Sequence, residues 1–83
     1  MEFNDKELIK INGLVIPADW DERGNVTRLS ISAFDEDLYI IVKDREGDQL
    51  FPFIRSKVAV RGIVTESDGI KSIKIKEYQV EDS

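Results

Sequence analysis

Hydrophobic and polar positions alternate along most of this chain, a period of two that predicts strands rather than helices. Ile9, Ile11, Gly13 and Val15 share one parity, and Pro17 is expected to close that segment. Leu29, Ile31 and Ala33 alternate with Arg28, Ser30 and Ser32. The run Asp35-Glu36-Asp37 reads as a turn; after it Leu38, Ile40 and Val42 are expected to face inward, and Tyr39, Ile41 and Lys43 outward. Val58, Val60, Gly62 and Val64 alternate against Ala59, Arg61 and Ile63. Glu66-Ser67-Asp68-Gly69 then leads into Ile73-Lys74-Ile75-Lys76, and Asp-Gly between alternating segments is a strong hairpin signal because Gly accepts positive φ. Five strands follow, at about residues 7–16, 25–34, 37–44, 57–66 and 70–79, with polar tails at 1–5 and 80–83.

A sheet with one apolar face must bury it, and five strands with no helix to cover them do so by closing into a barrel. Two closures compete, the OB (oligonucleotide/oligosaccharide-binding) barrel and the SH3-like barrel. The segment between the third and fourth strands separates them. Residues 45–56 carry Leu50, Phe51, Phe53 and Ile54, too apolar to be left in water, while Pro52 limits any helix there to about one turn. This predicts a short plug made by Leu50, Phe53 and Ile54, which favours the OB barrel. The expected core is Ile11, Val15, Leu29, Ile31, Leu38, Ile40, Val58, Val60, Val64, Ile73 and Ile75.

Val58-x-Val60-x-Gly62-x-Val64, Ser67-Asp68-Gly69 and Ile73-x-Ile75 resemble the fourth strand, turn and fifth strand of small OB domains of the tRNA-anticodon-binding type. Ile11-x-Gly13-x-Val15 supplies the matching small residue where the first strand of such barrels bends. The resemblance spans about residues 7–79. It is a pattern of hydrophobics and glycines, so it implies a fold and no particular activity.

Composition narrows the chemistry. The 83 residues form one domain, with no cysteine and no histidine. Disulfides and thiolate metal sites are thereby excluded, as are the commonest general base and the commonest transition-metal ligand. Zinc would have carboxylates alone to hold it, so no metal and no cofactor are expected. Asp19-Trp20-Asp21-Glu22-Arg23-Gly24 imitates the start of a calcium loop, but Arg23 and Ser30 stand where ligands are needed. Asn25-Val26-Thr27 matches a glycosylation acceptor, yet the charged N-terminus shows no apolar signal-peptide core. A cytoplasmic protein without membrane segments is the expectation. The carboxylate pairs Asp35/Asp37 and Glu66/Asp68 fall in solvated turns, where nothing shifts their pKa toward catalysis, and no glycine-rich phosphate loop occurs. The chain is expected to bind and not to catalyse.

Domains of the OB type present their second and third strands to a ligand, flanked by the first–second and fourth–fifth loops. The candidate surface is therefore Arg28, Ser30 and Ser32 from the second strand with Tyr39, Ile41 and Lys43 from the third, adjoined by Lys74, Lys76 and Lys71 from the fifth strand. An aromatic among cations is what single-stranded nucleic acid uses. The same lysines also read as a solubilising strand face, and Tyr39 as an ordinary strand former. Trp20, in the first loop, reads first as a lid on the barrel end and second as a contact residue. Acidic loops and the net charge of −5 weigh against nucleic acid. A protein partner, docking through Trp20, Tyr39, Ile41 and the loops, is placed first and weak single-stranded nucleic-acid binding second.

Overall fold

Residues 8–81 are described by a computed structural model, and the β-branched runs of the sequence account for most of its elements. In chain order these are β1 (Ile9–Trp20), β2 (Val26–Ala33), β3 (Leu38–Ile41), a single turn α1 (Arg45–Asp48), a 3-10 turn (Phe51–Phe53), β4 (Lys57–Ser67) and β5 (Ile70–Val80). The strands close into a barrel in the order β1-β2-β3-β5-β4. All pairings are antiparallel except β3 with β5, and this is the order of an OB-type barrel. No described helix is long and apolar enough to cross a membrane.

Strand β1 serves two neighbours. Its first half, from Ile9 to Leu14, pairs with β4, and its second half, from Gly13 onward, pairs with β2. It also runs past Pro17, where the sequence had suggested an end. The reason lies in strand direction. Val15 N–H donates to the Ser56 carbonyl at 3.1 Å, so Pro17, two residues on, turns its nitrogen the same way, past the start of β4. No ladder hydrogen bond is lost there, and a bulge follows between Pro17 and Asp19. At the opposite end of the chain β5 keeps Val80, paired with Val58, which the sequence reading had assigned to a tail. Residues 1–7, with the other expected tail and the expected start of the first strand, and residues 82–83 lie outside the described residues.

The β4–β5 connection is the expected tight hairpin: Asp68 and Gly69 both have positive φ, 54° and 80°, as a type I′ turn requires. The core comprises Ile11, Val15, Leu29, Ile31, Val58, Val60, Ile73 and Ile75 as expected, with Val64 half-buried against it. Two expected members are missing. On β3 the parity is the reverse of the one read from sequence: Tyr39 is 8% exposed and Ile41 3%, whereas Leu38 is 53% exposed and Ile40 is only half-buried.

Between β3 and β4 the chain makes its plug. Asp44 caps α1, its carboxylate accepting from Gly47 N–H at 2.8 Å. Pro52 falls in the 3-10 turn that follows, where its missing N–H is tolerated. Leu50 is fully buried, while Phe51, Phe53 and Ile54 are half-buried against the core, and the Phe53 ring lies 6.2 Å from that of Tyr78. Leu50 is thus the side chain that enters the barrel, and Phe53 and Ile54 cover its end. Leu50→Ala is expected to cost about 2–5 kcal/mol in urea denaturation, and Phe53→Ala less, because the half-exposed ring leaves a smaller void. The opposite order would assign the plug to Phe53.

Candidate functional site

Pairing registers fix which side chains share the outer wall of β1, β2, β3 and β5. Leu14 lies opposite Ser32, and Ser32 opposite Leu38. One residue before the Tyr39–Lys71 pair, the same parallel register brings Leu38 beside Ile70. A second row runs Ile16, Ser30, Ile40, Ser72. These rows hold five aliphatic residues, three serines and no charge. Leu38 and Ile70 are 53% and 55% exposed; Leu14, Ile16 and Ile40 are half-buried. Ser30 is only 2% exposed although it faces outward, since its short side chain lies between Ile16 and Ile40. An uncharged stripe therefore crosses four strands of the barrel wall.

Of the residues expected to form the ligand face, Ser30 and Ser32 lie on this stripe and the others do not. Tyr39 and Ile41 point into the core, for one physical reason. Residues 38–42 are all apolar or aromatic, so burying either parity satisfies the strand, and the register with β2 decides. The Tyr39 hydroxyl reaches the barrel end and donates to Asp37 at 3.4 Å, while the Lys71 ammonium lies 5.7 Å from the ring centre. Burial, with the nearby Asp35 and Asp37 carboxylates, pushes the Tyr39 phenol above its ordinary pKa.

The cations are largely taken up by the protein's own acids. Lys43 pairs with Asp48 at 3.2 Å and sits 5.2 Å from the Phe51 ring centre. Lys74 bonds Asp44 at 2.5 Å, and Lys71 bonds Asp37 at 2.9 Å. Arg28 is exposed, opposite Asp19 on β1; with Thr27, Lys43, Asp48 and Phe51 it borders a cavity of about 10 Å³, room for one water. Lys76 is exposed at the β5 bulge, beyond the reach of β3. Trp20, expected first as a lid, is 55% exposed at the end of β1, so it covers no barrel end. Of the expected set, then, Arg28, Lys43 and Lys74 share the end of the sheet beyond Ile16 and Ile40, Lys76 lies close enough to act on Asp44 there, Trp20 stands apart, and Tyr39 and Ile41 are core.

Sequence reasoning missed Leu14, Ile16, Leu38, Ile40 and Ile70. A signal for part of the stripe was present: Ser30, Ser32 and Ser72 mark three outward positions with uncharged residues. Leu38 and Ile40 could not be placed on the same face until the β3 register was known.

In the β1–β2 loop the calcium-like sequence has a local role. One Asp21 oxygen accepts from Arg23 N–H and Asn25 N–H at 2.8 and 2.9 Å, and the other from the Asn25 side-chain amide at 3.2 Å. These bonds, that of Asn25 N–H foremost, hold the Asp21 carboxyl below its ordinary pKa. Among the described residues no group of three or more acidic side chains is placed to hold a metal ion.

The chain matches no protein-family model, no curated protein and no solved structure.

Asp44 gives the site a pH signature. Its carboxyl is held below its ordinary pKa, first by the hydrogen bond from Lys74 and then by that from Gly47 N–H. A depressed carboxyl stabilises the fold above its unfolded pKa, and that contribution is lost as pH falls through the lower folded value. Lys74 is raised above 10.5 by the same partner, so its share is present below the unfolded value and lost in strong alkali. Asp44→Ala is expected to cost about 1–2 kcal/mol at pH 7, through the lost cap. The gap between variant and parent should close below about pH 4 in acid-dependent urea melts; a gap that persists to pH 2 would assign the loss to packing.

Proposed function

We propose that this barrel is a non-catalytic protein-interaction module that docks its partner on the uncharged outer wall of β1, β2, β3 and β5. The observation that carries this reading is the double row of Leu14, Ser32, Leu38, Ile70 and Ile16, Ser30, Ile40, Ser72. Half-exposed Leu38 and Ile70 gain little for the barrel where they stand, whereas desolvating them against a partner is favourable at about 25 cal/mol per Å². Contiguous exposed aliphatic surface of this kind is a feature of interaction sites.

Single-stranded nucleic acid is less well served by the same geometry. It needs a stacking ring beside free cations, and here Tyr39 is buried while Lys43, Lys74 and Lys71 are each bonded to an aspartate. Of the expected cations that leaves Arg28, opposite Asp19, and Lys76, within the field of Asp44.

Leu38→Ser with Ile70→Ser tests the proposal. Stability should change by less than about 1 kcal/mol, because both side chains are more than half exposed. A photo-crosslinking residue at position 38 or 70 should give discrete protein adducts in extract from the source cells, and one at position 79, on the opposite wall, should not. Adducts released by nuclease, or equal labelling at all three positions, would overturn the reading.

A further inference from the structure

The uncharged stripe has unlike surroundings at its two ends. Beyond Ile16 and Ile40 the next row holds Asp19, Arg28, Val42 and Lys74, with Lys43 just past it, and Lys43 and Lys74 are neutralised by Asp48 and Asp44. At the Leu38–Ile70 end stand the β2–β3 turn, with Asp35, Glu36 and Asp37, and the β4–β5 turn, flanked by Glu66 and Asp68. Lys71 is the cation between them, bonded to Asp37 at 2.9 Å and held above its ordinary pKa by that bond. Among the described residues five acids thus outnumber two bases, Lys71 and Lys10, the latter lining a cavity with Asp35, beside the two most exposed aliphatic residues of the stripe. Such a local excess acts over roughly 8 Å at physiological salt, far enough to reach a chain lying on the stripe.

We infer that the partner is a protein segment with an apolar face and a cluster of lysine or arginine at one end, laid with its cations over the β2–β3 and β4–β5 turns. This rests on the docking reading above and adds the chemistry of the partner. Four strands spaced about 4.8 Å apart present a wall roughly 14 Å wide, enough for the width of a helix of about 10–12 Å diameter, and the two rows, roughly 7 Å apart along the strands, give it about one turn of uncharged contact. Charge also opposes the simplest alternative, a second copy of this chain: each copy carries −5, and a face-to-face pair would bring either acid against acid or acid against a neutralised end.

The probes are synthetic helical peptides of about 16 residues, one of leucine on one face with lysine at one end, one with glutamate replacing lysine, and one with the lysine peptide's composition scrambled to remove the apolar face. Binding is followed by amide shifts in NMR spectra of the intact protein and by calorimetry. The leucine/lysine peptide should shift amides of β2, β3 and Ile70, and should bind about tenfold tighter than the glutamate or scrambled peptide. The combined variant Asp35→Asn, Glu36→Gln, Asp68→Asn should abolish that preference, and Leu38→Ser with Ile70→Ser should abolish binding of every peptide. If both apolar peptides bind equally and the neutralised variant changes nothing, while the serine variant still loses binding, the cationic inference fails and the docking face stands. Lysine-peptide binding that survives the serine variant overturns both, as does a stable dimer of the free protein with this wall covered. Failure of the leucine/lysine peptide to bind overturns the inference.

Discussion

Closure of this barrel depends on β1 changing neighbours within two residues. Gly13 and Leu14 pair with β4 on one edge and β2 on the other, and no other residues of the strand do both. At that crossing the backbones come so close that a Cβ on Gly13 would overlap the Ser32 carbonyl oxygen and the Ala33 Cα. A side chain there would drive the strands apart at the point where the sheet turns back on itself. Without this crossing β1 is an edge strand of an open sheet, the β3–β5 contact loses its purpose, and the plug around Leu50 has no mouth to fill. A similar close approach holds β4 to β5, where a Cβ on Gly62 would overlap the Lys74 carbonyl, next to the bulge that leaves Lys76 out.

Most of this was legible in the sequence, since alternating Val and Ile have one economical use. The strands of the Val58–Val64 and Ile73–Ile75 segments, the Asp68-Gly69 turn and an apolar plug between the third and fourth strands all followed from local pattern. What failed was the face of β3. Lys43 shares the parity expected to face outward, but β3 ends at Ile41, so Lys43 belongs to the connector and carries no information about the strand. With every residue from Leu38 to Val42 apolar or aromatic, a one-residue slip had no local cost, and only pairing with Ser30 and Ser32 resolves it. That single inversion moved Tyr39 and Ile41 inward and Leu38 and Ile40 outward, and so exchanged the candidate site. Pro17 misled for a related reason: whether its missing N–H matters depends on which neighbour that edge of the strand faces, a long-range fact.

Charge was equally hard to read from the chain alone. Lys74 and Lys76 alternate with Ile73 and Ile75 as a solvent face should, whereas Lys71 shares the parity of Ile73; Lys71 and Lys74 reach across 34 and 30 residues of sequence to Asp37 and Asp44. They tie the turn before β3 and the turn after it to β5. Since β3 is only four residues long and joins β5 by parallel pairing, these two contacts reinforce the shortest seam of the barrel. Their exposed geometry makes each contribution small, and their placement matters more than their strength. A cation counted in the composition as available for phosphate is in fact engaged in closing the fold.

The same distribution of charge bears on how an exposed aliphatic stripe can avoid pairing with its own kind. Two rows of Leu, Ile and Ser without a charge invite self-association, and a closed barrel offers no free edge through which to divert it. Serines between the aliphatics limit the loss. Ser30 keeps Ile16 and Ile40 from forming continuous hydrocarbon, and Ser32 does the same for Leu14 and Leu38. The acids at the Leu38–Ile70 end act at longer range, repelling a second copy before the stripes meet. A surface protected against its own kind by negative charge is, by the same field, open to an apolar surface that carries positive charge. On the docking reading proposed above, exclusion of the wrong partner and attraction of the right one would come from one cluster of side chains, which would place specificity in the β2–β3 and β4–β5 turns.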